Sequence, residues 1–327
     1  MLNGGCCVAL APFRRLAGCA NKVIGIQRLS TALSSSSVSY GSEFLDQVEE
    51  SVARVLQKYD AGGSDVDILD LPPLDRESLG VARVLNTRLQ ALAKNNDCRR
   101  CWLQQKHCVC NECKPLEATG DQSSLPSVLP KVNRIFLLMH HKEIALHVDT
   151  AKLILAAFPK TCRLVVGGIA GEYQDSMTEM QDAMASGNCL ILFPSENALT
   201  FDAVQHGELD KSQAWDLIVI DGTWAQARKL HSRYVKEGPT HVRLSDEAVE
   251  TLQIAASGVQ RDGHQLRRHP IKWREVSTLE ATRLFLGDMM PTITIQRPWD
   301  TLALYQQIGD SAARRQLGPP RLSDKKT

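Results

Sequence analysis

Long apolar runs are missing from this sequence. None approaches the roughly 18 residues that a membrane-spanning helix needs, and stretches such as Leu217 to Ile220 are short and flanked by charge. A spanning helix is thereby excluded, and no membrane partner is expected. A strong overall charge is missing too, since 38 Lys and Arg face 37 Asp and Glu. There is no spaced dinucleotide fingerprint: Gly167, Gly168 and Gly171 permit a tight loop but do not follow the G-x-G-x-x-G pattern, so NAD binding is not supported. No internal repeat is visible. Cysteine is too sparse for a disulfide scaffold, at ten in 327 residues, and five of the ten crowd between Cys98 and Cys113. That clustering argues for metal and against staples. With 43% hydrophobic and 23% charged residues, the chain can bury a real core. Its length suggests about two domains.

The balanced charge hides an uneven distribution. Residues 1–42 carry Arg14, Arg15, Lys22 and Arg28 and no acid, residues 43–224 hold 17 basic against 26 acidic groups, and residues 225–327 hold 17 against 11. A polyanion would therefore meet the C-terminal part first. Residues 1–40 are basic, acid-free and rich in serine from Ser34 to Ser37, which is the composition of an organellar transit peptide. A mitochondrial or plastid destination is expected, with the cytoplasm or nucleus as the alternative.

Apolar residues recur at helical spacing from Glu43 to Tyr59 and again from Leu79 to Leu92, with Gly62-Gly63 and Pro72-Pro73 between. These stretches predict a helical extension over 41–96. Residues 97–117 form the cysteine segment, and 118–131, with Gly120, Pro126 and Pro130, read as a linker. From 132 to 309 the pattern predicts strands at Ile135–Met139, Leu164–Val166, Leu190–Phe193 and Leu217–Ile220. Helices are predicted at Ile144–Phe158, Ser176–Ala185, Asn197–Gln205 and Trp224–Val235. Strands that are nearly all apolar are buried on both faces, which means a mostly parallel sheet with helices on both sides. Residues 310–327 read as a basic tail. Ligands of such sheets bind beyond the carboxyl ends of the strands.

Cys98, Cys101, Cys108 and Cys110 offer four thiols in thirteen residues. The first pair has zinc-knuckle spacing and the second is tighter than usual. Four thiolates can close a tetrahedron around zinc and fold a segment with few apolar residues, since structural zinc supplies about 10–16 kcal/mol in small peptides. A redox pair or plain surface cysteines is the other reading, with Cys113 or His107 as substitute ligands. Leu217 to Arg228 reads as a strand, an acid (Asp221), a glycine turn and a helix, with Thr223 and Gln226 spaced as a capping box. Capping explains Thr223 and Gln226 but leaves Asp221 and Trp224 over. A carboxylate at a strand end beside a helix start can take a proton, and a Trp in the first turn can stack on a base or pack into the core. Ser277-Thr278-Leu279-Glu280 has the spacing of a second capping box, and Phe193-Pro194-Ser195-Glu196 and His140-His141-Lys142-Glu143 close two other strands.

Taken in order, Cys-x-x-Cys, Phe193-Pro-Ser-Glu196, Asp221-Gly-Thr-Trp-x-Gln-Ala and Ser277-Thr-Leu-Glu-Ala resemble the DTW-domain family, the tRNA-uridine aminocarboxypropyltransferases, over roughly residues 97–290. The resemblance implies a knotted, SPOUT-like α/β domain. It implies S-adenosylmethionine as donor of a 3-amino-3-carboxypropyl group to a tRNA uridine, with methylthioadenosine released. It further implies donor binding by Pro194, Ser195, Glu196, Gly222, Ser277, Thr278, Leu279 and Glu280, and catalytic roles for Asp221, Thr223 and Trp224. Zinc on Cys98, Cys101, Cys108 and Cys110 would be structural. Phosphates would be met by Arg228, Lys229, Arg233, Arg267, Arg268, Lys272 and Arg274. His141 stands where the family usually has proline after the first strand. Two other readings remain: a SPOUT-like methyltransferase, and a zinc-containing RNA-binding protein without catalysis.

Overall fold

The computed structural model describes residues 43–60, 68–117, 128–206, 214–257, 276–293 and 297–318. The expected targeting segment, most of the expected linker, and Arg267, Arg268, Lys272 and Arg274 lie outside these residues. Five strands form one all-parallel sheet: β1 (Val132–His140), β2 (Cys162–Gly167), β3 (Cys189–Leu192), β4 (Trp215–Asp221) and β5 (Thr240–Val242), in the order β2-β1-β4-β3-β5. Alternate residues of the central strands enter two separate cores. Ile135, Leu137, Leu217 and Val219 join one, and Phe136, Leu138, Ile218 and Ile220 the other. The period-2 geometry of a strand explains this division, and the near-continuous apolar runs follow from it.

The second core is closed by α4 (Asp175–Ala185), through Met177, Met180 and Ala183, and by α6 (Trp224–Leu230), through Ala227 and Leu230. The larger core takes α1 (Glu43–Asp60), α2 (Pro73–Lys94), α3 (Lys152–Ala157) and α5 (Phe201–Gln205). It also takes α8 (Thr278–Met289) and α9 (Pro298–Leu317), while α7 (Asp246–Ser257) packs on α8. No described helix is long and apolar enough to cross a membrane.

Several expectations need correction. The helix expected over 144–158 begins only at Lys152: Ala145 sits at φ 61°, and Asp149 Oδ1 accepts the Ala151 N–H at 2.9 Å, a local bond that competes with helix. The helix expected from Asn197 starts at Phe201, where Thr200 caps it. Beyond α6, the chain passes into a π-helical turn, His231–Val235. β5 went unpredicted because Thr-His-Val is too short and polar to carry a strand signal. The tail expected from residue 310 is helical to Leu317, with Asp310, Ala312 and Ala313 buried in α9.

The few apolar residues expected in the cysteine segment are core residues. Trp102, Leu103 and Val109 are buried and belong to the larger core. Arg99 pairs with Glu49 and Asp46 of α1 at 2.9 and 2.7 Å, and Arg100 donates to the carbonyls of Cys113 and Ala156 at 3.1 and 2.9 Å. From α9, the Tyr305 hydroxyl donates to the Lys114 carbonyl at 2.7 Å, and Gln316 Oε1 accepts the Gln104 N–H at 2.9 Å. The segment is a junction between α1, α3 and α9.

Candidate active site and metal centre

The strand order places a switch point between β1 and β4, because the chain leaves β1 toward β2 on one side and leaves β4 toward β5 on the other. In open α/β sheets such a point forms a crevice at the carboxyl ends. Here Met139 lies opposite Asp221, the last residue of β4. Asp221 is 2% exposed. Strand alternation puts it on the face of Leu217 and Val219, the face against which α8 packs. Gly222 then turns the chain at φ 153°, a conformation L side chains rarely adopt. A Cβ at Gly222 would also lie 3.1 Å from Gln226 Cβ and 3.3 Å from His140 Cβ. The backbone conformation therefore favours glycine here, and a side chain would also make tight contacts with Gln226 and His140.

Thr223 and Gln226 form both halves of the expected capping box: Thr223 Oγ1 accepts the Gln226 N–H at 3.4 Å, and Gln226 Oε1 accepts the Thr223 N–H at 2.7 Å. This hydroxyl is engaged in capping. Trp224 is half-buried beside Phe193, with ring centroids 6.2 Å apart. Phe193 stacks on His231 at 4.1 Å and 13°, and His231 Nε2 lies 2.8 Å from His241 Nε2, so one imidazole donates to the other. No sequence signal marks this pair, because the two residues sit on different elements and meet only once β5 takes its place at the sheet edge.

The loop after β3 is anchored by its ends. Phe193 N–H donates to the Val242 carbonyl at 3.0 Å and Leu199 N–H to the His241 carbonyl at 2.9 Å. Pro194 and Glu196 stand exposed between them, with Ser195 half-buried. Phe201 of α5 meets Phe285 of α8 edge to face at 5.9 Å, tying this loop to the helix that follows Ser277. Ser277 Oγ accepts the Glu280 N–H at 3.2 Å and receives Gln306 Nε2 of α9 at 3.3 Å. The Glu280 carboxylate is turned inward at 3% exposure, with Arg283 Nη2 3.7 Å away. Leu279 is fully buried in the core. Within Ser277–Glu280, backbone and the half-buried Ser277 and Thr278 are what a ligand can reach.

The four sulfurs of Cys98, Cys101, Cys108 and Cys110 lie within 4.8 Å of one another, with Cys98 and Cys110 at 3.5 Å and Cys101 and Cys108 at 3.8 Å. A tetrahedral metal with bonds of about 2.3 Å to sulfur needs sulfurs roughly 3.8 Å apart, so the donor set fits. Cys113 lies outside this cluster, and burial pushes its thiol up to about 12. Cys98 is held far below the ordinary thiol range by hydrogen bonds from Cys101 and Cys110. Trp102, at φ 57°, turns the knuckle so that the Cys98 N–H reaches the Leu103 carbonyl at 2.7 Å.

The family model of the DTW domain matches residues 95–310. The chain belongs to the DTW-domain family. Membership brings tRNA-modifying activity with it, and the match takes in the cysteine cluster and every strand of the sheet. No curated protein and no solved structure gives a significant match. The DTW domain thus has its signature Asp221-Gly-Thr-Trp at the switch point. α1 and α2 lie ahead of the matched stretch.

Two measurements follow from this geometry. Replacing Cys98 and Cys110 with serine should remove bound metal, about one ion per chain, and destabilise the protein by about 4 kcal/mol or more, the range in which loss of a metal falls. Elemental analysis and thermal melting check this; a doubly substituted protein that melts like wild type would exclude a structural metal. The second concerns acid. Burial lowers the His140 pKa to about 4 and also lowers His141, His147, His231 and His241. The unfolded chain binds protons more readily than the folded one at such sites. Their stabilisation is therefore complete above the ordinary value of 6.5 and is lost as pH falls toward the folded values. The melting temperature should drop across that window, and less so in a His231→Gln/His241→Gln variant. A melting temperature that holds steady across it would contradict the assignment of neutral buried imidazoles.

Proposed function

We propose that this DTW protein transfers the 3-amino-3-carboxypropyl group of S-adenosylmethionine to a uridine of tRNA, releasing methylthioadenosine. The observation that carries the reading is a buried carboxylate, Asp221, at the switch point of a parallel sheet, followed by a turn whose conformation favours glycine. The acceptor is the uracil nitrogen between the two carbonyls, a poor nucleophile while protonated. Asp221 takes that proton as the nitrogen attacks the chain carbon bonded to the sulfonium. A C–N bond forms, the C–S bond breaks, and its electron pair stays on sulfur in neutral methylthioadenosine. General-base assistance of this kind contributes about 10²–10⁴ in rate. Holding the two reactants in line contributes as much or more.

The donor's purine and amino-acid parts would be held between the Pro194–Glu196 loop, the Gly222 turn and the start of α8, which the Phe201–Phe285 contact and the packing of α8 on β4 bring together. The sulfonium is a good leaving group by itself, so the metal of the cysteine cluster, which we assign as zinc, serves the fold. RNA approaches over α6, where Ala225, Arg228, Lys229, Ser232 and Arg233 line a shallow depression. Arg228 and Lys229 are exposed there, four and five residues beyond Trp224.

Incubation with tRNA and donor labelled in the aminocarboxypropyl chain should put label into RNA and yield methylthioadenosine. Label entering only from the methyl group would sink this reading in favour of methyl transfer. A second expectation concerns Asp221 itself. Asp221→Asn keeps nearly the same shape, so donor binding and melting should stay close to wild type while single-turnover transfer falls by about 10² or more. An Asn variant with wild-type turnover would remove Asp221 as the base.

A further inference from the structure

α2 lies ahead of the stretch shared with the family, yet it is seated on the end of the sheet from which the site loops emerge. Three segments are fastened to one side of it. Arg88 Nη1 donates to the carbonyls of Lys142 and Ile144, the latter at 3.0 Å, and so grips the turn after β1. Ser78 Oγ accepts the Ala170 N–H at 3.0 Å, in the turn after β2. In the same turn, Val81 packs so closely on Gly168 that a Cβ there would fall 2.7 Å from Val81 Cγ2. Glu77 pairs with Arg233 in the π-helical turn beyond α6, and the adjacent Tyr234 hydroxyl accepts the Gly168 N–H at 2.8 Å. Residues 77, 81 and 88 are spaced four and seven apart, which puts them on one helical face.

These contacts reach the reacting centre by a short path. The turn held by Arg88 starts at His140, whose Cβ lies 3.3 Å from where a Cβ of Gly222 would be. Glu77 meanwhile engages the guanidinium of Arg233, while Arg228, Lys229 and Lys142 stand exposed. His141, in the position of the family's proline, is half-buried with Nδ1 3.7 Å from the Cβ position of Gly168, inside the space that α2 covers.

We propose that α2 is a working wall of the site, and that Arg88 is a positioning residue. By fixing the His140–Ile144 turn against Gly222, and with Glu77 fixing the end of α6, α2 sets the spacing between Lys142 and the Arg228–Lys229 pair that receives the RNA backbone. The inference rests on the RNA substrate proposed above but not on which group is transferred.

The test uses the full chain and an unmodified tRNA transcript, with binding measured across a salt series and melting measured in parallel. Losing a charged hydrogen bond that organises the site should weaken binding about tenfold in Arg88→Ala. The salt slope should stay unchanged, because Arg88 touches no phosphate. Arg88→Lys, still able to donate to one carbonyl, should recover much of the affinity. Arg228→Gln and Lys229→Gln should each reduce the slope by about one. Arg88→Ala with wild-type affinity would overturn the proposal, as would an affinity loss matched by a lower slope, since Arg88 would then be an ordinary phosphate contact. Should Arg88→Ala fail to fold, Glu77→Gln decides: releasing Arg233 must change affinity or steepen the slope, and an unchanged variant overturns the proposal. Absence of carboxypropyl transfer in an otherwise RNA-binding protein would refute the reaction and leave this inference standing.

Discussion

The burial of the β1–β4 pair on both faces is the constraint from which the rest of the structure follows. Side chains from Ile135 to Met139 and from Leu217 to Val219 are almost wholly removed from water, alternating between two cores. Neither strand can place an ionisable group along that length without a heavy desolvation cost. Polar chemistry is confined to the strand ends, where Asp221 closes β4 opposite Met139 and His140 closes β1 beside Gly222. A parallel sheet also requires long crossovers, so the loops that leave these ends are the natural places for ligand contacts.

Around this centre, the helices do more than cover apolar surface. The cysteine segment joins α1, α3 and α9 through Arg99, Arg100 and the Tyr305 and Gln316 contacts. Partly exposed ion pairs such as Arg99 with Glu49 contribute only about 0–1 kcal/mol each, so the junction depends chiefly on buried Trp102, Leu103 and Val109 and on the four sulfurs. α2 approaches from the other end and bears on the turns after β1 and β2. The sheet is thus braced at two places by chain that precedes it.

Much of the site could be read in advance because it is local. Asp221-Gly-Thr-Trp, the capping box of Thr223 and Gln226, and the four cysteines each depend on neighbours within about a dozen residues. The capping box formed in full. Ser277 formed only half of its own, because Glu280 turned inward beside Arg283. The errors fell where another contact, local in one case and long-range in the other, outweighed the apolar periodicity. The helix expected from Ile144 was shortened by the Asp149 turn, and residues 310–317 of the expected tail became the last part of α9, which packs against α8 and the cysteine segment.

By itself, then, the sequence determined the alternation of buried strands with helices, which four sulfurs cluster closely enough to hold a metal and the residues of the signature turn, because periodicity and short spacings encode all three. Only the tertiary structure decided that β5 joins the sheet and brings His241 to His231, that Leu279 and Glu280 point inward, and that Arg88 and Glu77 reach loops dozens of residues away. Those outcomes depend on which elements become neighbours when the sheet is assembled. Such neighbourhoods arise from the balance of all the buried surfaces together, which no local stretch of sequence carries.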